Sequence, residues 1–279
     1  MRIKKVLVTF LLLCIFLQVK ATGLSSDIIF LDGEEWFLMA KPINMDSVLY
    51  SRMMNFLPQN HCVTTANWEG YTAYWEVREG CLYLQHLEIC VYDQQKKEEL
   101  TLTYTPKQLK NLFSPYYKRG RIRAHWFNGE LRAGKGNLLR YVHSGFKRNM
   151  ETEQVMTLRQ GKIQSVQKFH NSKCSGINLL QSQDEITKRF PWCRFPEYKG
   201  QRLIFNIGKF QCTADGKLLD FDVHSVFARS KQENIKESNH LLVEAFKETL
   251  KSIYPWEVLL INGKLMVEPQ NCVLVIEEK

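Results

Sequence analysis

Tyr71-Thr72-Ala73-Tyr74-Trp75-Glu76-Val77-Arg78-Glu79-Gly80-Cys81-Leu82-Tyr83-Leu84-Gln85 reads as two strands joined by a tight turn. Tyr71, Ala73, Trp75 and Val77 alternate with Thr72, Tyr74 and Glu76, and beyond the turn Leu82 and Leu84 alternate with Tyr83 and Gln85. An apolar face at period two is the mark of a half-buried strand. Glu79-Gly80 supplies the turn, because glycine enters positive φ without a Cβ penalty and a polar neighbour tolerates it. The same polar-glycine signal recurs as Asp32-Gly33, Asn128-Gly129, Gln160-Gly161, Asp215-Gly216 and Asn262-Gly263, each beside a strand-like run. Its spacing is irregular, so it punctuates a β-rich chain and marks no repeat array.

Working outward, Ile122, Ala124 and Trp126 alternate with Arg121, Arg123 and His125. Two helical patches interrupt the strands, at 45–56 and at 105–113, the second opened by Thr105-Pro106 in N-cap and first-turn positions. Residues 173–197 read as a connection: 171–176 is small and polar, Pro191 and Pro196 break regular structure, and one short helix is predicted over 181–188. Beyond Gly200, Leu203, Phe205 and Ile207 alternate up to a register shift at Gly208, and Asp215-Gly216 turns the chain into a second strand. A helix opening at Ser238 or Asn239 carries Leu242, Phe246, Leu250 and Ile253 as an apolar stripe, with Glu244–Lys247 and Glu248–Lys251 as three-apart pairs. The predicted fold is therefore α+β: a mainly antiparallel β domain over 25–172, then a ββαβ domain over 198–279.

That last stretch resembles the TonB C-terminal domain. The matching features are the Ala214-Asp215-Gly216-Lys217 turn, a strand centred on Phe221 and Val223, and a helix carrying Glu244-Ala245 and Leu250. Pro255-Trp256, Asn262-Gly263-Lys264 and a final apolar strand of Cys272, Val273, Leu274, Val275 and Ile276 complete the likeness. The resemblance implies a periplasmic, non-enzymatic protein-binding module of Gram-negative bacteria. In that family the sheet takes an extended peptide from an outer-membrane transporter by strand addition, and force passes through the contact. Carried over, Cys272, Val273, Leu274, Val275 and Ile276 are the partner-binding edge, and an outer-membrane transporter or other envelope protein is the partner.

The amino terminus agrees with export. Arg2, Lys4 and Lys5 precede an apolar run over 6–19, and Val19 and Ala21 offer small-residue cleavage positions after residue 21. Fourteen helical residues reach about 21 Å, short of a hydrocarbon core of about 30 Å. The expectation is a signal peptide over 1–21 and a periplasmic mature chain with no integral span; an uncleaved leader would anchor it. Removing Arg2, Lys4, Lys5 and Lys20 lowers the formal charge from +9 to +5, too weak a balance to argue for nucleic acid. Of eight cysteines, the seven after the leader (Cys62, Cys81, Cys90, Cys174, Cys193, Cys212 and Cys272) are scattered through a chain long enough to build its own core.

Chemical motifs are sparse. Gly129–Gly136 has phosphate-loop spacing, but Gly136 stands where a Ser or Thr must hold Mg²⁺. No HExxH, HxH, CxxC or GxSxG occurs, and His61-Cys62 are adjacent residues whose side chains point apart on a strand. No cofactor or metal is expected. The most basic aromatic patch is Tyr116-Tyr117-Lys118-Arg119-Gly120-Arg121-Ile122-Arg123, followed by His125 and Trp126. Lys118, Arg119, Arg121 and Arg123 are its anion-binding candidates, against lipid headgroup phosphates or a wall polymer; read structurally, they are the solvated face of a strand. Two alternatives to the protein-binding module follow: an envelope-surface binding protein acting through the N-terminal β domain, and an exported hydrolase whose site is assembled from distant residues.

Overall fold

The computed structural model describes residues 23–229, 234–237 and 240–278. The expected leader over 1–21 and the expected helix caps Ser238 and Asn239 lie outside the described residues. The fold is β-rich α+β. No helix among the described residues is long and apolar enough to cross a membrane. The chain divides into two compact units.

The first unit takes the described residues up to Ala133, together with Tyr141–Arg148 and Val155–Val166. Its strands are β1 (Asp27–Leu31), β2 (Glu34–Leu38), β3 (Tyr71–Arg78), β4 (Cys81–Asp93), β5 (Glu98–Tyr104), β6 (Tyr117–Lys118) and β7 (Arg121–Arg123). Parts of β8 (Gly129–Tyr141), β9 (Arg148–Arg159) and β10 (Lys162–His170) complete it. The sheet runs β10-β9-β8-β2-β1-β3-β4-β7-β6, with β5 also on β4. Lys162 pairs with Cys81, so β10 returns to β4 and the sheet closes on itself.

The period-two reading of 71–85 holds here: Tyr71, Ala73, Trp75, Leu82 and Leu84 are all buried. They join Ile29, Leu38, Phe113 and Phe127 in one core. Helix α1 (Ser47–Phe56) starts where Asp46 accepts the Leu49 N–H at 2.8 Å, and it buries Leu49 and Met53, four residues apart on one face. The patch at 105–113 is no continuous helix. Four-apart closures from Leu109 N–H to Thr105 and from Phe113 N–H to Leu109 seat Leu109, Leu112 and Phe113 in the core instead. Asn128-Gly129 is no hairpin either; Asn128 Oδ1 accepts the Gln160 N–H at 2.9 Å, and Gly129 opens β8.

One charged pair lies inside this core. Lys41 Nζ stands 2.8 Å from Asp27 Oδ1, and both side chains are almost wholly buried. Asp27 also accepts the Ala73 N–H and the Trp75 indole N–H, at 3.2 and 3.0 Å, while Lys41 donates to the Tyr71 carbonyl. Burial pushes the Asp27 carboxyl above its ordinary range, and Lys41 pulls against that rise.

The second unit takes Gly134–Arg140, Asn149–Gln154 and the chain from Gln167 onward. It holds β11 (Ser172–Cys174), helix α2 (Gln183–Arg189), β12 (Arg202–Cys212), β13 (Leu218–Arg229), β14 (Asn234–Glu237) and helix α3 (His240–Lys251). After α3 come β15 (Val258–Ile261), β16 (Lys264–Met266) and β17 (Asn271–Glu277). One sheet runs β14-β13-β12-β17 and carries α3, whose Leu242, Ala245, Phe246 and Leu250 are buried. Phe246 stacks on Phe205, with ring centroids 3.7 Å apart. The register of β12 on β13 shifts beside Gly208, as the sequence predicts.

Three expectations need correction. Residues 173–197 are not a loose connection: Leu179, Ile186, Phe190 and Phe195 belong to the second core, delivered by α2 and short 3-10 turns. Those turns show neither a helical nor a strand period, which is why the segment read as irregular. The strand after Trp256 joins a separate sheet, β11-β15-β16, pairing Leu259 with Lys173. The expected three-apart pairs are also replaced: Lys247 and Lys251 reach Asp220, Glu248 faces Arg194, and Glu244 lies against His240 one turn earlier in α3.

Candidate anion-binding site

A cleft of about 770 Å³ in the first unit is lined by Tyr83, Pro115, Tyr116, Lys118, Arg119, Arg121, Arg123 and His125. All four basic residues singled out in the sequence therefore meet in one hollow. They do so through a hairpin that the polar-glycine signal missed because its first residue is basic. Arg119 and Gly120 sit at φ 50° and 82°, the two left-handed positions of a two-residue hairpin loop. Lys118 is thereby placed directly opposite Arg121, and Tyr117 opposite Ile122.

β7 then pairs with β4, setting Arg123 opposite Tyr83 and Ile122 opposite Leu84. Side chains alternate across a strand, so Arg121 and Arg123 share one face while Ile122 turns to the core. Lys118 and Tyr83 fall on the Arg face by register. The wall beside them is aromatic and fixed. Tyr116 packs on Trp126 with ring centroids 4.6 Å apart, and its hydroxyl donates to Asp46 Oδ2 at 3.2 Å.

The cations are unbalanced. Among the described residues none of Lys118, Arg119, Arg121 or Arg123 forms an ion pair with a carboxylate. Arg123 donates weakly to the Gln160 carbonyl at 3.4 Å, while its buried Nε has no hydrogen-bond partner. Like charges gathered without counter-ions repel, by an amount that solvent screens but does not cancel. His125 senses that field. Partial burial, Arg123 and Lys118 hold its imidazole below the ordinary histidine range.

Cys272, Val273, Leu274, Val275 and Ile276 lie on β17, which forms one edge of its sheet. The edge is partly covered: the Val275 N–H donates to Gln183 Oε1 of α2 at 3.3 Å. Antiparallel neighbours alternate, so Val273 also turns its N–H outward, whereas Leu274 faces Phe205 of β12. Leu274 and Ile276 are buried, Val273 is half exposed, and burial pushes the Cys272 thiol up to about 11. Gly129–Gly136 runs within extended strand β8 and forms no phosphate-cradling loop. Sequence reasoning placed Tyr116 with the basic residues but did not place Pro115 or Tyr83 there; only strand register brings Tyr83 to them.

No protein-family model, curated protein or solved structure matches this chain.

Proposed function

We propose that the first unit is a binding module for phosphate-bearing anions of the cell envelope, held in the cleft between Tyr83, Tyr116 and the Lys118–Arg123 hairpin. The convergence of Lys118, Arg119, Arg121 and Arg123, all without counter-ions, carries this reading. Fixed cations with no internal partners raise the local concentration of an anion and speed its capture. Guanidinium groups add bidentate geometry suited to phosphate oxygens, and the buried Arg123 Nε supplies a donor already stripped of partners. At about 770 Å³ the cleft takes more than one phosphate group. Tyr83 and Tyr116 offer flat apolar walls to whatever carries them.

Trp126 touches Tyr116, so its fluorescence reports occupancy. Titration with inorganic pyrophosphate should give a saturable change that weakens as salt rises. Vesicles containing phosphatidylglycerol, compared with neutral vesicles, separate a lipid headgroup from a soluble phosphate as the source. Arg121→Ala should weaken binding about ten- to a hundredfold, the effect of losing one charged hydrogen bond worth about 1.5–3 kcal/mol. Equal affinity in wild type, Arg121→Ala and Lys118→Ala would remove the cleft from consideration.

A second reading rests on β17 as a sheet edge with an outward N–H at Val273. In line with the TonB-like pattern, the second unit would add a strand from an outer-membrane transporter or other envelope protein. Val273→Pro is its probe, because Leu274→Pro would remove a donor aimed at β12 and unfold the sheet. A folded Val273→Pro variant should lose the envelope partner that wild type retains. Undiminished retention by that variant would exclude this edge.

A further inference from the structure

Three potential metal donors that lie far apart in sequence meet on the outer face of β4. An antiparallel bridge sets His61 opposite Val91, and the Cys62 N–H donates to the Cys90 carbonyl at 2.8 Å. Cys62 thus flanks Cys90 on one side of β4. On the other side β5 pairs Thr101 with Cys90 and Glu99 with Tyr92, which brings Glu99 diagonally beside Cys90. Ile89 and Val91 are buried, so the pleat turns Cys90 and its neighbours away from the core. His61 is not part of the group; its Nδ1 lies 2.6 Å from the Pro58 carbonyl.

The donor atoms of Cys62, Cys90 and Glu99 all lie within 4.8 Å of one another. Cys90 Sγ and Glu99 Oε2 stand 3.7 Å apart. Around one tetrahedral zinc, with Zn–S of about 2.3 Å and Zn–O of about 2.1 Å, two ligand atoms are separated by roughly 3.5–3.8 Å. We propose that Cys62, Cys90 and Glu99 bind a single zinc ion, with solvent at the fourth position. Two thiolates exclude calcium and magnesium, which take oxygen ligands, and a third donor that is a carboxylate is compatible with zinc. Glu99 is exposed and both cysteines are only half buried, so an ion and its water have access.

Zinc entry releases one proton from each thiol and leaves both sulfurs as thiolates beside the Glu99 carboxylate ligand. No oxidant or reductant is needed. The site is independent of the basic cleft, since the two share no residue.

Cobalt substitution tests the proposal on the full chain, reduced with a phosphine and stripped of metal. One equivalent of Co²⁺ should produce a sulfur-to-cobalt charge-transfer band and intense tetrahedral d–d bands, bleached by one equivalent of Zn²⁺. Cys62→Ser and Cys90→Ser should each diminish the charge-transfer band, and Glu99→Gln should weaken affinity by about tenfold or more. Zinc should also protect Cys62 and Cys90, but not Cys81, Cys174, Cys193, Cys212 or Cys272, from alkylation. That readout needs no variant and survives any folding defect. A wild type without the charge-transfer band, or one whose band is unchanged in both serine variants, would overturn the proposal. So would peptide mapping that finds Cys62 and Cys90 joined by a disulfide in the unreduced protein.

Discussion

Two groups of charge in the first unit are built on opposite terms. Lys41 and Asp27 are buried, mutually paired and hydrogen-bonded to Ala73, Trp75 and Tyr71. Lys118, Arg119, Arg121 and Arg123 line an open cleft with no carboxylate partner among the described residues. The first group makes its contacts inside the protein, Lys41 with Asp27 and the Tyr71 carbonyl, Asp27 with Lys41, Ala73 and Trp75. The second group leaves its cations without an internal counter-charge, open on the proposed reading to an external anion. The difference separates charge that is matched within the fold from charge that is not.

The largest effect should come from breaking the buried pair. Lys41→Met leaves an ionised or expensively protonated Asp27 in the core, and removal of one partner from such a pair costs about 3–5 kcal/mol. Denaturant unfolding followed at Trp75 and its neighbours measures this cost. Arg121→Met is the matched control. It relieves repulsion and removes no ion pair, so its stability should stay within about 0.5 kcal/mol of wild type or rise. A loss of several kcal/mol in Arg121→Met, or a negligible one in Lys41→Met, would erase the contrast.

The sequence carried some of this arrangement and hid the rest for physical reasons. Local patterns survived: the alternation of Tyr71, Ala73 and Trp75, the helix stripe of Leu242, Phe246 and Leu250, and the basic run Lys118–Arg123 are properties of neighbours along the chain. The cleft was half legible, because its four cations are contiguous while Tyr83 arrives from another strand through its pairing with Arg123. The thiol-carboxylate group was invisible. Cys62, Cys90 and Glu99 obey no local spacing, and only the pairings of β4 with β5 and with the segment at His61 bring them together. The region 173–197 misled in the other direction, since its prolines and short turns conceal Ile186, Phe190 and Phe195, which are core residues.

The smallest expected effect is the sharpest in sign. Partial burial, and then the charges of Arg123 and Lys118, hold the His125 imidazole below the usual value of about 6.5. In the unfolded chain both are gone, so the unfolded state binds more protons between the lowered value and about pH 6.5. Stability of the free protein should therefore decline as pH falls through this window. Anion binding acts oppositely. An anion among Lys118, Arg121 and Arg123 neutralises those charges and raises the histidine, so binding is accompanied by proton uptake. Affinity for sulfate, whose charge is constant over this range, should accordingly strengthen as pH falls through the same window. His125→Asn should flatten the affinity trend and reduce the stability trend, the remainder of which comes from His86, also held low by burial. Paired titrations of wild type and His125→Asn, with fluorescence for binding and denaturant midpoints for stability, read the two slopes separately. Slopes of the same sign in wild type would show that no anion settles among these cations.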